Sequence, residues 1–222
     1  MRENKIKAVI FDMDGVLIDT EKHYNAAWCE AARMAGFDGF KREHALMLRS
    51  CDARLASEMM KDIFGAGFDY YAIREARRRL VAERLEKYGL EKKPGIDEIL
   101  SFLHENSIKA AVATATPIEL TLQHLEKIGV QDQFDKIVSA KQVAQGKPAP
   151  DVYLYACEQI GEKPSDCIAV EDSPNGIRSA YAAGCKPVMV PDLTQPDEEV
   201  SPLLYAVADS LADISRIITD RG

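Results

Sequence analysis

Short apolar runs recur along the chain and predict buried β-strands. The first covers residues 6–11, is β-branched at Ile6 and Val9, and stops at the polar residue Asp12. Runs of the same kind lie at 108–113, 136–139, 167–170, 187–190 and, more weakly, 205–208. Each is too short for a typical globular helix, so the pattern indicates six strands.

Helical patterns separate these strands. Apolar residues recur three and four positions apart in four segments, at 96–103, 118–128, 152–159 and 174–183. The last segment stops at Gly184, a residue type that often ends helices. Strands that alternate with helices predict an α/β fold, with a Rossmann-like, doubly wound parallel sheet. Ligands of such sheets bind outside the carboxyl ends of the strands.

Residues 20–92 interrupt this alternation and are called the inserted segment below. Three apolar stripes with helical spacing, and no convincing strand, predict a small α-helical domain placed after the first strand. The predicted core domain therefore consists of residues 1–19 and 93–222. The inserted segment holds 14 Lys and Arg against 12 Asp and Glu, a net charge of +2, whereas the whole chain carries −8.

Composition excludes several classes of protein. The net charge of −8 argues against a nucleic-acid-binding protein, because phosphate backbones require a basic surface. No apolar run is long enough to cross a bilayer, and the N-terminus lacks the features of a signal peptide. The five cysteines are scattered and form no C-x-x-C pair. We expect reduced thiols, no zinc site, a cytoplasmic location and a monomer.

Two carboxylates follow the first strand. Asp12 and Asp14 point to the same side of an extended chain, and Gly15 allows a sharp turn after them. Such a pair can hold a hard cation and leave one oxygen free for nucleophilic attack. A plain turn rich in Asp and Gly explains the same residues equally well.

A threonine follows the second strand. Thr116 is predicted to be the N-cap of a helix, with Pro117 at N1 and Glu119 at N3 forming a capping box. Thr114 lies two residues too early for that capping role. Its hydroxyl and the neighbouring amides should face the carboxyl edge of the sheet, where an anion can bind.

Two further motifs carry charge at the same edge. Lys147 lies in the loop Gly-Lys-Pro-Ala-Pro-Asp and could neutralise a carboxylate and a phosphoryl oxygen, although a solvated loop lysine is the simpler interpretation. Glu171 and Asp172 close the fourth strand, and Ser173 follows as the predicted N-cap of the next helix. Adjacent acids repel each other unless a cation neutralises them.

The four motifs, taken in this order, resemble the haloacid dehalogenase superfamily. D-x-D-G-x-x-x-D-T, the threonine after the second strand, G-K-P-x-P-D and E-D-S-x-x-G are all present, and the resemblance covers nearly the whole chain. It is closest to the branch of phosphatases and β-phosphoglucomutase-like enzymes that carry an α-helical cap domain. The resemblance implies that the inserted segment is this cap.

The resemblance also implies a role for each residue of the site. Asp12 would be the nucleophile, Asp14 the general acid and base, and Mg²⁺ the cofactor, held by Asp12, the Asp14 carbonyl and Asp172, with Glu171 in or near the shell. A small phosphorylated metabolite would be the substrate. The residues implied to bind the phosphoryl group or the rest of the substrate are Thr114, Ala115, Lys147, Asn175 and Arg54.

Two alternatives to a phosphatase remain open. A sugar phosphomutase of this branch has a histidine four residues before the cap tryptophan, but here Tyr24 stands four residues before Trp28, and His23 is one position off. The mutases also have a glycine and an arginine in a cap loop, where this chain has only Arg54 as a match. A catalytically silent binding protein would have lost a core residue, and none is lost. The sequence therefore favours a hydrolase.

Overall fold

A parallel six-stranded sheet forms the centre of the computed structural model, which describes residues 6–221. The strands are β1 (Ala8–Phe11), β2 (Lys109–Thr114), β3 (Lys136–Ser139), β4 (Cys167–Glu171), β5 (Lys186–Met189) and β6 (Ala206–Val207). Their order across the sheet is β3-β2-β1-β4-β5-β6, and every neighbouring pair is parallel. The predicted α/β fold is confirmed, because the six apolar runs coincide with the six strands to within one or two residues at each end.

Nine α-helices accompany these strands in the described part of the chain. They are α1 (Glu21–Met34), α2 (Arg42–Met47), α3 (Ala53–Phe64), α4 (Tyr70–Tyr88), α5 (Ile96–Glu105), α6 (Ile118–Lys127), α7 (Asp151–Ile160), α8 (Pro174–Ala182) and α9 (Asp213–Arg221). The first four lie in the inserted segment. None of the helices within residues 6–221 has both the length and the apolar character needed to cross a bilayer.

Side chains of the central strands alternate between two hydrophobic layers. Val9 and Phe11 of β1 join one buried cluster with residues of α5, whereas Ala8 and Ile10 join another with residues of α7. This alternation follows from the two-residue repeat of an extended strand. Both faces of β1 are therefore covered by apolar side chains. The first polar residue after the strand is Asp12, at the carboxyl edge of the sheet.

The inserted segment has an aromatic core of its own. Trp28 of α1 packs against Phe40 and Tyr70, with ring centroids 6.3 and 5.5 Å apart. Phe68 is fully buried in the same cluster. Because these helices bury their apolar faces mainly against one another, the segment can present one further face towards the sheet without losing its own packing.

The beginning of α6 differs from the sequence prediction. Pro117, not Thr116, is the N-cap residue, and no side chain caps the helix there. The Thr116 hydroxyl instead donates a 2.7 Å hydrogen bond to Asp14 Oδ2. The Thr116 side chain is thereby held at the site and not at the start of the helix. Ser173, by contrast, caps α8 as predicted, accepting a hydrogen bond from the Gly176 amide at 3.1 Å.

Gly95 allows a close approach between α5 and the C-terminal region. It precedes α5 with φ +86°, and a Cβ atom there would lie 2.5 Å from the Ala212 amide nitrogen. Gly36 has the same φ of +86°, but a Cβ atom there would meet nothing within 4 Å. The two glycines therefore share one backbone constraint, and only Gly95 adds a steric one.

We predict that Gly95→Ala destabilises the protein more than Gly36→Ala does. Gly36→Ala should cost about 1–2 kcal/mol of unfolding free energy for the left-handed backbone alone. Gly95→Ala should cost about 1–3 kcal/mol more, because the backbone near Ala212 must move. Urea unfolding followed by circular dichroism measures both losses, and equal losses in the two variants would contradict the prediction.

Candidate active site

Three neighbouring strands deliver polar side chains to one edge of the sheet. Asp12 follows β1, Thr114 ends β2 and Glu171 ends β4, and all three side chains are buried. The Asp12 amide donates a 2.9 Å hydrogen bond to the Val170 carbonyl of β4, so the strand pairing continues to this residue. The sheet therefore fixes the backbone positions from which these side chains project.

Lys147 is the centre of the site. Its side chain is fully buried, and Nζ lies 2.9 Å from Asp12 Oδ1, 2.6 Å from Glu171 Oε1 and 3.0 Å from the Ala113 carbonyl. Burial alone would lower the pKa of this lysine, but the charges of Asp12 and Glu171 raise it above its ordinary value. Lys147 is therefore a permanent cation, and the simpler interpretation as a solvated loop residue is wrong.

Glu171 is held by neighbours on both of its oxygens. Oε1 accepts a 2.7 Å hydrogen bond from the Tyr153 hydroxyl in addition to the contact with Lys147, and Oε2 accepts a longer one, 3.4 Å, from Ser173. Burial raises the pKa of Glu171, while the charge of Lys147 opposes that shift. A Cβ atom on Gly176 would collide with this carboxylate, so the glycine in E-D-S-x-x-G makes room for it.

Asp14 has a different environment from Asp12. Its Oδ1 accepts a 2.6 Å hydrogen bond from the Thr20 hydroxyl, and its Oδ2 accepts the one from Thr116. Burial raises the pKa of Asp14, against the effect of these hydroxyl donors. The chain can turn directly after it because Gly15 adopts φ +82°, with its amide bonded to the Ile18 carbonyl. Asp14 is therefore both oriented and disposed to carry a proton.

Asp12, Glu171 and Asp172 form what we call the three-carboxylate group. Each offers one oxygen, and these atoms all lie within 4.8 Å of one another. A set of carboxylate oxygens suits a hard cation such as Mg²⁺ or Ca²⁺ rather than a soft metal. Gly15 adjoins the group, since a Cβ atom there would collide with Asp172.

The buried charges of the site do not balance without a further cation. Among residues 6–221, the buried carboxyl groups outnumber the buried lysines and arginines by four to two. Burial raises the pKa of Glu21 to about 7 and that of Asp172 well above its ordinary value, as expected for carboxyls that lack enough positive charge. One divalent cation would supply the missing charge. The residues counted are Asp12, Glu21, Glu171, Asp172, Arg49 and Lys147.

Arg49 reaches the site from the inserted segment. Its guanidinium forms an ion pair with Asp172, and its Nε lies 3.1 Å from Glu21 Oε2. A third contact runs to the Thr194 hydroxyl at 3.0 Å. Arg49 is buried and joins the loop between α2 and α3 to the carboxyl end of β4. A role for Arg49 was not predicted from the sequence.

Arg54, which the sequence proposed instead, lies elsewhere. It occupies the first turn of α3, where its side chain is 74% exposed and pairs with Glu58 on the next turn at 3.3 Å. It does not line the cavity described below. Asp52 caps α3 and so fixes the orientation of its first turn, which places the Arg54 side chain in solvent. The prediction that Arg54 contacts the substrate is therefore wrong.

Asn175 contacts the protein rather than the cavity. Its side-chain amide donates to the Arg49 carbonyl at 2.9 Å and to the Met47 carbonyl at 3.3 Å. Close by, the Asp52 amide donates to the Lys147 carbonyl at 2.8 Å. Asn175 therefore links the core to the inserted segment. It does not make the substrate contact that was predicted.

A cavity of about 670 Å³ lies between the inserted segment and the carboxyl edge of the sheet. That volume is within the range of pockets for small molecules. Asp12, Asp14, Thr114 and Ala115 line its core side, so four of the residues predicted from the motifs share one space. The opposite wall consists largely of residues of α1 and α4.

The spacing of residues along α1 could have predicted part of this wall. Glu21, Tyr24 and Trp28 stand at positions i, i+3 and i+7 of α1, so they share one helix face, and all three line the cavity. A carboxylate at the start of an otherwise apolar stripe could have marked Glu21 for attention. No comparable signal existed for Tyr153, whose hydroxyl finds Glu171 only through the packing of α7.

The chain matches known proteins over most of its length. A family model described as haloacid dehalogenase-like hydrolase matches residues 9–190. The chain belongs to this family. A phosphorylated carbohydrates phosphatase of Thermotoga maritima is 31% identical over 182 residues, covering 81% of this chain and 82% of the relative.

Two further comparisons agree with this assignment. The β-phosphoglucomutase of Bacillus subtilis is 30% identical over 186 residues, which is 81% of this chain and 80% of that protein. The solved structure of CbbY from Rhodobacter sphaeroides in complex with phosphate has a TM-score of 0.74 and 25% identity, covering 94% and 96% of the two chains. The resemblance to the phosphatase and β-phosphoglucomutase branch is therefore confirmed.

We predict that Lys147→Met destabilises the protein in a pH-dependent way. Without the cation, Asp12 and Glu171 are buried as unpaired charges, which should cost about 3–5 kcal/mol of unfolding free energy near pH 7. The loss should shrink towards about pH 5, because the raised pKa of Glu171 rises further and the folded protein then binds a proton that the unfolded chain does not.

Urea unfolding in the presence of EDTA measures this effect without interference from bound metal. Lys61→Met, at an exposed position of α3, is the control and should leave the unfolding free energy within about 0.5 kcal/mol at every pH. A loss in Lys147→Met that does not change between about pH 5 and pH 8 would contradict the pairing described here.

Proposed function

We propose that the chain is a Mg²⁺-dependent phosphatase that hydrolyses a small phosphorylated metabolite through an aspartyl-phosphate intermediate. The observation that carries this proposal is the position of Asp12, which contacts Lys147, belongs to the three-carboxylate group and lines the cavity. A carboxylate beside both a fixed cation and a metal site can attack an anionic phosphoryl group without prohibitive repulsion. The phosphatase named among the relatives supports a sugar-phosphate-like substrate.

Asp12 is the proposed nucleophile. One of its oxygens would attack phosphorus, and the bond from phosphorus to the ester oxygen would break in line with that attack. Water would then hydrolyse the aspartyl-phosphate and release inorganic phosphate. Lys147 contributes by offsetting the negative charges of the carboxylate and of the phosphoryl group.

Asp14 is the proposed general acid and base. In the first half-reaction it would donate its proton to the leaving ester oxygen, and in the second it would remove a proton from the attacking water. The raised pKa caused by burial favours the protonated form that the first step needs. The hydroxyls of Thr20 and Thr116 hold the carboxyl group in one orientation through both steps.

Thr114, the Ala115 amide and Lys147 are the proposed ligands of the phosphoryl oxygens. The Thr114 hydroxyl oxygen already accepts a 3.1 Å hydrogen bond from the Thr116 amide. Its own proton is therefore available for a phosphoryl oxygen. Ala115 lines the cavity directly after Thr114, which suits a contact from its amide.

Mg²⁺ is the proposed cofactor, with Asp12, the Asp14 carbonyl and Asp172 as ligands and Glu171 in or near the shell. The three-carboxylate group and the excess of buried negative charge support this assignment. When bound, the ion would stabilise the negative charge that develops on the transferring phosphoryl group.

The inserted segment is the proposed cap domain, with residues 1–19 and 93–222 as the core. Its contacts with the core include those of Arg49 with Asp172, of Asp52 with Lys147 and of the Arg49 carbonyl with Asn175, all close to the site. A cap seated there would exclude water during the first half-reaction and contact the leaving group. A cytoplasmic location and a monomeric state stay predictions from the sequence.

A mutase is the second candidate, because a β-phosphoglucomutase is among the relatives. Tyr24 lines the cavity at the position where the mutases of this branch have histidine. His23 is absent from the lining and stacks on Tyr88, with ring centroids 5.9 Å apart. Since no histidine of α1 faces the cavity, the geometry favours transfer to water.

We predict that Asp12→Asn abolishes the Mg²⁺-dependent hydrolysis of p-nitrophenyl phosphate, with a loss of at least about 10³-fold, and that EDTA abolishes it in the unmodified protein. Asp14→Asn should behave differently, because p-nitrophenolate leaves without a proton. It should release about one equivalent of p-nitrophenol per protein in a burst and then stop, since no base activates the water.

Asp38→Asn is the matched control, at an exposed position of the inserted segment, and should retain full activity. Stopped-flow absorbance resolves the burst, and phosphate release measures the turnover. Steady turnover by Asp12→Asn, or activity that survives metal removal, would refute the proposed mechanism.

We predict that sugar phosphates are hydrolysed and not isomerised. With β-glucose 1-phosphate or glucose 6-phosphate as substrate, ³¹P NMR should show inorganic phosphate and no positional isomer. The physical reason is that Tyr24 cannot take over the role of the missing histidine. Formation of the other glucose phosphate without phosphate release would identify a mutase instead.

A further inference from the structure

Helix α4 carries four arginines, Arg74, Arg77, Arg78 and Arg79. From the sequence alone a solvated helix face is the simplest interpretation of this cluster, and the alternative is that one of the arginines lies over the substrate. This interpretation holds for Arg78 and Arg79, which are exposed, and is corrected for Arg74 and Arg77, which are partly buried. Arg79 is 75% exposed and pairs with Glu75 of its own helix. Arg74, Arg77 and Arg78 line the cavity opposite the sheet. The helix therefore presents positive charge to the space that also contains Asp12.

Arg77 is held in place by aromatic rings. Its guanidinium carbon lies 4.7 Å from the centroid of the Tyr24 ring and 5.0 Å from that of the Trp28 ring. Contacts of this kind cover the face of a guanidinium and leave the donors at its edge available. The rings thus position the group without using its hydrogen-bonding capacity.

No acid within the described part of the chain neutralises Arg77. No carboxylate of residues 6–221 lies within ion-pair distance of it, and its buried Nε donates no hydrogen bond. Burial lowers the pKa of Arg77, and the charge of Arg74 lowers it further, yet an arginine remains protonated near neutral pH. A half-buried cation without a partner is uncommon in folded proteins and calls for a ligand.

We propose that Arg77, assisted by Arg74, binds a second anionic group on the leaving part of the substrate. This inference rests on the proposed phosphatase function and narrows its substrate class to phosphate esters that carry a further phosphate or carboxylate. In this reaction the ester and water give inorganic phosphate and an alcohol that keeps its anionic group. The edge of a guanidinium matches both kinds of oxyanion in a bidentate geometry.

The same rings argue against an aromatic leaving group such as a nucleobase. Arg77 already covers Tyr24 and Trp28, and Trp28 also packs against Tyr70 and Phe40. Arg77 therefore occupies ring surface on which a base would otherwise stack. Arg77 has no acid partner within the described residues, so an anion satisfies this wall better than a neutral group does.

Trp28 makes a direct binding experiment possible, because it is the only tryptophan of the chain. Its fluorescence should respond to a ligand on Arg77. The Asp12→Asn variant can be titrated without turnover with glycerol 3-phosphate, 3-phosphoglycerate and 1,3-propanediol bisphosphate in the presence of Mg²⁺. We expect the two esters with a second anion to bind at least about tenfold more tightly than glycerol 3-phosphate.

Arg77→Met in the same background should weaken the two doubly anionic esters by about tenfold or more and leave glycerol 3-phosphate nearly unaffected. Arg79→Met is the matched control, from the exposed side of the same helix, and should change none of the three dissociation constants. Comparing the phosphate and carboxylate ligands identifies which anion the wall prefers.

Kinetics of the unmodified protein separate this inference from the proposed function. A kcat/KM preference for the doubly anionic esters that Arg77→Met removes, mainly through KM, supports both. Preferential binding without any hydrolysis supports the anion site and refutes the phosphatase. Equal binding of all three esters, or an equal loss for all three in Arg77→Met, would overturn the inference.

Discussion

The buried ammonium group of Lys147 is the interaction on which the rest of the site depends. It contacts groups from three adjacent strands, the Asp12 carboxylate after β1, the Ala113 carbonyl of β2 and the Glu171 carboxylate of β4. Two carboxylates this close could not both stay ionised in a buried site without a cation. Lys147 therefore offsets the negative charge of both carboxylates at the position of the proposed nucleophile.

The same loops also support the inserted segment. The Lys147 carbonyl accepts the amide hydrogen of Asp52, while Asp172 pairs with Arg49. A cation at the three-carboxylate group and the guanidinium of Arg49 would therefore interact with the same carboxylate. Because two ligands of one group influence each other reciprocally, metal binding and seating of the cap should be thermodynamically linked. Binding of a cation at the proposed metal site should therefore change the stability of the contact between the proposed cap and the core.

Much of the fold and the core side of the site could be predicted from the sequence, for a physical reason. Strands buried on both faces are continuous apolar runs, and the polar residues that end them meet at one edge of a parallel sheet. The motifs at Asp12, Thr114, Lys147 and Glu171 follow that rule. The six-residue helix α2 is too short for periodicity to detect, whereas α9 was not predicted although Ile214, Ile217 and Ile218 share one helix face.

The cap side could not be predicted in the same way. Arg49 and Arg54 stand five residues apart near one loop, and only the first turn of α3 decides which of them is buried. Arg77 and Arg79 belong to one helix, and their difference arises from the rings of α1 that Arg77 meets. Thr116 has a good capping sequence, but Asp14 uses its hydroxyl. Each outcome depends on contacts between segments distant in sequence.

The two sides of the cavity carry opposite charges, and this difference would orient a bound substrate. The core side holds Asp12 and Asp14 and repels an anion unless Lys147 and a divalent cation offset their charge. The α4 wall attracts an anion without such help. An ester with two anionic groups would therefore place one on the arginines first, and the other could approach Asp12 only when the metal is bound. Binding order, as well as orientation, then follows from where the uncompensated charges lie.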